Sequence, residues 1–328
     1  MRAIGETRLW VYERNSERVF RNIPANLAST RAYYTTVNKE GVEKDYFEKL
    51  LASEIEGPGI PVIRKLSSDT SQLSMEEIGY GATLIAMQEL RVPFKREQLS
   101  TMMKTSADLH LKSAMSHPGI MESVFQELKE QGMIDSSLTA EGMRKIYDEG
   151  GFNIVTTTSG ELWALSIMLR QLMNTYAAMK WTVLVAPTQI FVSSDTPVCR
   201  DYPETAGSPA GVVNPDLTIY FPLCPTRVLM LQHDHKKYRL FKYFMLAGRR
   251  REAEQLRHRT PSISCKYIQQ IRSQEINKII IERAMRWVYA PVEMPDIPRQ
   301  FCGESRNVRV EIEKLDDSGL LRMTHRLS

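Results

Sequence analysis

The chain has 328 residues, of which 42% are hydrophobic and 25% are charged, a composition typical of a globular protein with a sizeable core. Its formal net charge of +4 is too small to indicate or exclude a nucleic-acid partner. No segment reaches the ~18 apolar residues of a membrane span, and the N-terminus lacks the apolar run of a secretory signal, so we expect no membrane partner. Four cysteines without zinc-site spacing favour reduced thiols and a cytoplasmic location.

The predicted elements begin with a β-hairpin. Two short apolar and aromatic runs, 9–12 and 19–23, flank a polar turn, which is the hairpin pattern. Residues 43–66 then carry apolar residues at helical spacing, and Gly57-Pro58-Gly59 is expected to interrupt that helix.

A long helical block follows. Ser74 and Glu77 form a capping box at the start of a helix, which ends before Pro93 because proline disfavours helix in the preceding residue. Further helices are predicted over 95–131 with a break at 117–119, over 139–149, and from 158 to about 176.

The periodicity changes after residue 180. Runs that predict strands lie at 180–185, 190–192, 217–221, 228–231 and 287–289, with helices predicted over 241–258 and 266–285. Strands at the N-terminus and in the C-terminal half, separated by helices, indicate an α+β fold with a mixed or antiparallel sheet.

The expected domain organisation is simple. We predict a single α+β domain over 1–291, with the helical block at about 43–180 and a strand-rich part at about 181–291. The tail at 292–328 contains alternating Val308, Val310 and Ile312, a pattern compatible with an edge strand or with loose order.

Several stretches resemble one family in order along about residues 8–290. They are 8–12, 26–28, 33–34, 89–93, 181, 191–198 (Phe-Val-Ser-Ser-Asp-Thr-Pro-Val), 221–225 (Phe-Pro-Leu-Cys-Pro), 277 and 284–289. The chain resembles the domain of unknown function 4238 family of mostly bacterial proteins, which implies no established activity. Family members usually carry a segment rich in His, Tyr, Val and Pro before the strand at 9–12. Here the chain starts almost at that strand, so we expect that the segment is missing from the sequence or lost in this member.

The first candidate site is the polar end of the run at 190–192. Asp195, with Ser194, is the candidate catalytic group, because a carboxylate at a strand end can act as a base, orient a water or bind a metal. Ser193 and Thr196 are candidate binding residues beside it. The competing explanation, which we favour, is that these side chains satisfy backbone groups in the turn before Pro197.

Two residues outside this run are further binding candidates. Arg91 can pair with Asp195 or clamp an anion, although a cation at the end of a helix also favours the helix dipole. Asn277 lies among Ile276, Ile279 and Ile280, and an asparagine inside an apolar helix usually has a specific partner, either backbone or ligand.

The segment 233–236 (His-Asp-His-Lys) has a weak resemblance to metal and nuclease patterns. Two histidines at i and i+2 can share a metal on one strand face, and the Asp-x-Lys spacing also occurs in restriction-type nucleases. Short patterns match by chance, so a polar strand exit is the favoured explanation. We assign no metal ligands.

The segment 236–259 is strongly basic. It holds nine Lys and Arg residues against Glu252 and Glu254, with four aromatic residues interleaved. Such a segment, with Arg249, Arg250 and Arg251 as binding residues, suits phosphate contacts and base stacking. A solvated helix face explains the same pattern and is favoured.

Two functional hypotheses remain open. In the first, the protein is a binding or sensing module with a polar pocket around the Ser-Ser-Asp-Thr-Pro run. In the second, it is a nucleic-acid-directed, metal-dependent phosphoesterase or nuclease that uses Asp195 and the basic 236–259 segment. No P-loop, Rossmann fingerprint, GxSxG or HExxH motif is present, so those enzyme classes lose support. Cofactor identity, a divalent metal included, and oligomeric state are left open.

Overall fold

A computed structural model describes residues 8–16, 18–24, 36–37, 43–44, 49–68, 72–135, 137–149, 154–202, 211–212, 214–257, 263–303, 308–313 and 322–327. The strands are β1 (Leu9–Glu13), β2 (Val19–Asn22), β3 (Thr36–Val37), β4 (Glu43–Lys44), β5 (Lys180–Val185), β6 (Ser193–Ser194), β7 (Cys199–Asp201), β8 (Thr218–Cys224), β9 (Arg227–Gln232), β10 (Ile263–Tyr267), β11 (Trp287–Ala290), β12 (Val308–Glu313) and β13 (Arg322–Leu327). The helices are α1 (Gly57–Ser67), α2 (Met75–Leu90), α3 (Pro93–Met115), α4 (Pro118–Glu130), α5 (Ala140–Asp148), α6 (Thr158–Ala178), α7 (His235–Leu246), α8 (Arg250–Arg257), α9 (Gln270–Arg283) and α10 (Ile297–Gln300).

The predicted α+β class is confirmed. One sheet has the order β2–β1–β11–β6, with every neighbouring pair antiparallel. It therefore joins the predicted N-terminal hairpin to strands from the C-terminal half. A second sheet has the order β10–β5–β9–β8–β7, in which β10 and β5 are parallel and the other pairs antiparallel.

The chain divides into two compact units. The first comprises 1–95, 165–310 and 325–328, and the second comprises 96–164 and 311–324. A compact unit need not be an independently folding domain, so the single domain over 1–291 and the separate tail stay predictions. In the tail, β12 and β13 pair with each other.

The first unit packs helices closely on the second sheet. Gly81 of α2 faces Trp181 of β5 and Val62 of α1, where a Cβ atom would lie 3.0 Å from each side chain. Gly59 of α1 has even less room, because its Cβ would lie 2.7 Å from Cβ of Leu84. These glycines allow α1 to approach α2 closely, and Trp181 is completely buried in the result.

Another core of the first unit joins the two sheets and α9. Its buried members include Tyr12, Phe191, Tyr220, Ile280 and Val288. The second unit has a smaller core of Met115, Met121 and Phe125. Arg96 and Glu161 form an ion pair of 2.9 Å within that unit.

Several predicted elements differ from the structure. Gly57-Pro58-Gly59 does not interrupt a helix: a π-helical segment, Leu51–Glu56, continues directly into α1, because proline fits the first turn of a helix. Residues 190–192 are not a strand. The amides of Ile190 and Phe191 both donate to the carbonyl of Pro225, so they take no part in a strand ladder.

Other differences concern the C-terminal half. The helix predicted over 241–258 is two helices, which are separated at Gly248, a residue with φ +72°. The helix predicted over 266–285 starts only at Gln270, since residues 263–267 form β10. In the described part of the chain, no helix is both long and apolar enough to cross a bilayer.

Candidate functional site

Asp195 lies directly after β6 and is hydrogen bonded to the turn between α9 and β11. Its carboxylate accepts hydrogen bonds from the amides of Met285 (2.9 Å), Arg286 (2.7 Å) and Trp287 (3.2 Å). Burial raises the pKa of Asp195, whereas the three amide hydrogen bonds and the charge of Arg14 oppose that shift. The carboxylate therefore closes a backbone turn.

Arg14 completes this junction from the N-terminal hairpin. Its guanidinium donates to the carbonyls of Ile281 (3.0 Å), Glu282 (3.2 Å) and Ala284 (2.6 Å) at the end of α9. These are the carbonyls that a helix leaves without an internal partner. A cation at this position also favours the negative end of the helix dipole.

The neighbours of Asp195 bond mainly within their own turn. The hydroxyl of Ser194 donates to the carbonyl of Thr196 and accepts from its amide, at 2.9 and 3.2 Å. This is local turn chemistry of the kind that serine supplies. Ser193 pairs with Tyr289 in the first sheet. The hydroxyl of Thr196 is buried and has no hydrogen-bond partner within the described residues.

Asn277 and Arg91 have different partners. The side-chain amide of Asn277 donates to the carbonyl of Ile190 at 2.7 Å, and its oxygen accepts from the amide of Val192 at 3.2 Å. Arg91 ends α2 and forms an ion pair with Glu56. The structure thus does not bring Arg91 to Asp195, and Asn277 contacts backbone.

Three of the stretches that carried the family resemblance, 221–225, 277 and 284–289, are hydrogen bonded to residues 190–195. Pro225 accepts from Ile190 and Phe191, Asn277 bonds Ile190 and Val192, and Asp195 bonds residues 285–287. In these stretches, the residues of the family pattern therefore connect segment 190–195 to the end of β8, to α9 and to the start of β11. A catalytic role for Asp195 and Ser194, and ligand binding by Ser193, Thr196 and Asn277, stay predictions.

The other predicted candidates lie on the surface. Arg249 pairs with Glu252 at 2.8 Å, while Arg250 and Arg251 are exposed. Asp234 caps α7 by accepting from the amides of Lys236 and Lys237, as an N-cap aspartate does. His233 contacts the carbonyl of Val212 at 2.7 Å.

Neither His233 nor His235 belongs to a cluster of metal-ligand side chains among the described residues. Within the described ranges, no group of three or more His, Cys, Asp or Glu side chains has the arrangement of a metal site. This observation identifies no cofactor.

The structure reveals a second polar site that sequence reasoning missed. We call it the Glu89 cluster, and its members are Glu89, Lys95, Tyr176 and Arg200. The Glu89 carboxylate is 3% exposed on α2, accepts from the Tyr176 hydroxyl and lies 2.7 Å from the Arg200 guanidinium. Lys95, in the first turn of α3, places Nζ 3.8 Å from the same carboxylate.

Within the Glu89 cluster itself, two cations face one carboxylate. The charges of Arg200 and Arg283 both act on Lys95, and Asp201 is the principal carboxylate acting on Arg283. Glu282 also acts on Arg283, so the excess of positive charge lies at Lys95 and Arg200, which share Glu89. An uncompensated charge at low dielectric is costly, which makes such a site suited to an anion.

The pKa shifts in the cluster reflect burial. Burial lowers the pKa of Lys95 to about 8, with Glu89 opposing and the two arginines reinforcing the shift. Burial also raises the pKa of Tyr176 well above its usual value, so the phenol stays protonated and donates to Glu89. Perturbed groups in one cluster are a recognised mark of functional sites.

Cys199, the residue before Arg200, is unsuited to nucleophilic chemistry. It is fully buried, and burial raises the pKa of its thiol to about 12. Because the thiolate is the reactive form, this thiol is inert at neutral pH.

One sequence signal could have found the Glu89 cluster. Ile78, Ala82 and Ile85 form the buried stripe of α2, and Glu89 continues it at a spacing of four. A charged residue on the core face of a helix needs a partner. Lys95 and Arg200 carry no comparable signal along the chain.

The fold and the two polar sites define an α+β protein with a structural carboxylate junction and a partly open, cation-rich cluster. The chain belongs to the family described as protein of unknown function (DUF4238), whose model matches residues 4–291. This match confirms the resemblance and establishes no activity. No curated protein and no solved structure shows significant similarity to the chain.

Proposed function

We propose that this protein is a binding module whose ligand is a small anion with a phosphate, sulfate or carboxylate group, bound at Lys95 and Arg200. The proposal keeps the binding role expected from the sequence. It moves the site from Asp195, whose carboxylate is occupied by three amides, to the Glu89 cluster.

One observation carries the proposal. Arg200 lies 2.7 Å from Oε1 of Glu89, whereas Nζ of Lys95 lies 3.8 Å from the same oxygen. The longer separation exceeds hydrogen-bond length. Lys95 keeps a quarter of its side chain exposed, and the proposal requires that an entering anion reach its ammonium group there.

The surrounding charges support the same ligand chemistry. Lysine is a compact charge with three donors, and arginine offers a planar fork that matches oxyanions. Burial is the main cause of the lowered pKa of Lys95, and an anion there would offset the additional repulsion from Arg200 and Arg283. Binding would therefore stabilise the protonated lysine.

Isothermal titration calorimetry with sulfate tests the proposal, because sulfate keeps its charge near neutral pH. We expect the wild-type protein to bind sulfate and Lys95→Met to lose at least about tenfold in affinity, the equivalent of one charged hydrogen bond. Lys65→Met is the matched control, since Lys65 is an exposed lysine paired with Glu77. Its affinity should equal that of the wild type.

The pH dependence supplies a second measurement. Sulfate affinity of the wild type should fall as the pH rises through about 8, where Lys95 loses its proton, and Lys95→Arg should remove that dependence while keeping affinity. Equal binding by wild type and Lys95→Met, or no binding by the wild type, would refute the proposal.

A further inference from the structure

The basic segment forms an exposed pair of helices in the first unit. α7 and α8 contact each other, and we define the α7–α8 surface by its exposed side chains. These are Leu240, Tyr243, Met245, Leu246, Arg250 and Arg251. None of them belongs to the Glu89 cluster.

Local interactions fix the ends of α7. Asp234 caps its start. At its end the amide of Arg249 donates to the carbonyl of Phe244 at 2.8 Å, across Gly248 in the left-handed region, which is the Schellman arrangement. Arg249 also lies over the Phe244 ring, 4.7 Å from its centroid. The helix therefore ends sharply, and Arg250 and Arg251 begin α8 after a three-residue turn.

The exposed apolar side chains are unusually concentrated. Leu246 is 81% and Tyr243 59% exposed, and Leu240 and Met245 are also exposed on the same twelve-residue helix. Single exposed apolar residues are ordinary. Four within seven residues are typical of a surface that a partner covers.

The positive charge of residues 236–259 limits which kind of partner the α7–α8 surface can bind. Residues 236–259 contain nine Lys and Arg residues and two Glu residues, so the partner must be anionic. A second copy of this chain in a two-fold dimer would place like charges opposite each other. A nucleic acid would use the cations and Tyr243, but it would leave Leu240, Met245 and Leu246 in water.

We infer that the α7–α8 surface binds an anionic lipid bilayer. Leu240, Tyr243 and Leu246, which lie on one face of α7 at a spacing of three, would enter the boundary between headgroups and acyl chains, and Arg250 and Arg251 would contact the anionic headgroups. The expectation of no membrane partner rested on the lack of a spanning segment, and interfacial binding requires none.

Vesicle co-sedimentation tests the inference. The full chain should sediment with mixed phosphatidylcholine–phosphatidylglycerol vesicles and stay in solution with phosphatidylcholine alone. Leu246→Ser should weaken binding about tenfold through lost apolar burial, and Arg250→Gln with Arg251→Gln about 30-fold. Added salt should weaken the wild type.

Matched controls sit elsewhere on the surface. Met133→Ser removes another highly exposed apolar side chain, and Lys145→Gln with Lys278→Gln removes two exposed cations. Both should bind mixed vesicles like the wild type, as should Lys95→Met, which separates this inference from the proposed anion site.

Two results would overturn the inference. One is equal sedimentation with neutral and anionic vesicles. The other is binding only to a single-stranded oligonucleotide, weakened by the double arginine substitution and unaffected by Leu246→Ser, which would assign the surface to nucleic acid.

Discussion

The backbone amide of Arg286 donates a hydrogen bond of 2.7 Å to the carboxylate of Asp195. The adjoining amides of Met285 and Trp287 donate to the same carboxylate, so one side chain closes the turn between α9 and β11. Asp195 also places its own amide 3.1 Å from the carbonyl of Trp287. Asp195, which directly follows the short strand β6, is therefore bonded to the start of β11 through both its backbone amide and its side-chain carboxylate.

Asp195→Ala tests this structural role. It leaves three amides without their acceptor, and we expect the free energy of unfolding to fall by about 3–5 kcal/mol. Urea denaturation followed by circular dichroism measures the change. Asp216→Ala is the control, because the Asp216 side chain is half exposed and its loss should stay within about 0.5 kcal/mol. A change below about 1 kcal/mol for Asp195→Ala would contradict a structural role.

Asn277→Leu tests the second connection to the same segment. The substitution keeps the size of the side chain but removes the bonds to Ile190 and Val192, so we expect a loss of about 2–4 kcal/mol in unfolding free energy. Lys278→Ala is its control on the same helix, since that side chain is 69% exposed. If both variants unfold at the same urea concentration, the two hydrogen bonds contribute nothing.

Two glycines should respond oppositely to alanine. Gly59→Ala places a Cβ 2.7 Å from Cβ of Leu84, so overpacking should lower the unfolding free energy by about 1–3 kcal/mol. Gly79→Ala meets no atom within 4 Å in the described part of the chain, so helix propensity should raise it by up to about 1 kcal/mol. Thermal unfolding of both variants checks the prediction, which fails if Gly59→Ala is the more stable protein.

Lys95 should make stability depend on pH. Its pKa is lowered from 10.5 to about 8 in the fold, so the unfolded chain binds more protons between these values and stability rises with pH across that window. Burial is the main cause, and Arg200 and Arg283 add to it against Glu89.

The measurement compares wild type with Lys95→Met. Because the pKa of Lys95 falls from 10.5 in the unfolded chain to about 8 in the fold, the wild type should gain about 2–3 kcal/mol relative to the variant as the pH rises from below 8 to near 10.5. Urea unfolding at several pH values gives the difference. A constant difference across the window would mean that Lys95 keeps an ordinary pKa.

Local signals allowed much of the fold to be predicted. Ser74 and Glu77 form the predicted capping box, and the apolar runs at 9–12, 228–231 and 287–289 correspond to strands β1, β9 and β11. Helix caps and apolar periodicity depend on residues a few positions apart, so they can be recognised from the sequence alone. The strand predicted at 190–192 was wrong. The backbone of these residues bonds to Pro225 and Asn277, so they need no strand partner although they are apolar.

The sequence by itself determined the α+β class, the family and the importance of residues 191–198. Only the tertiary structure decided what Asp195 contacts. The backbone amide of Met285, which donates to the Asp195 carboxylate, lies ninety residues further along the chain. The Glu89 cluster was decided the same way: Glu89, Tyr176 and Arg200 come from two helices and a strand. Their shifted pKa values arise from shared burial, a property that exists only once distant segments pack together.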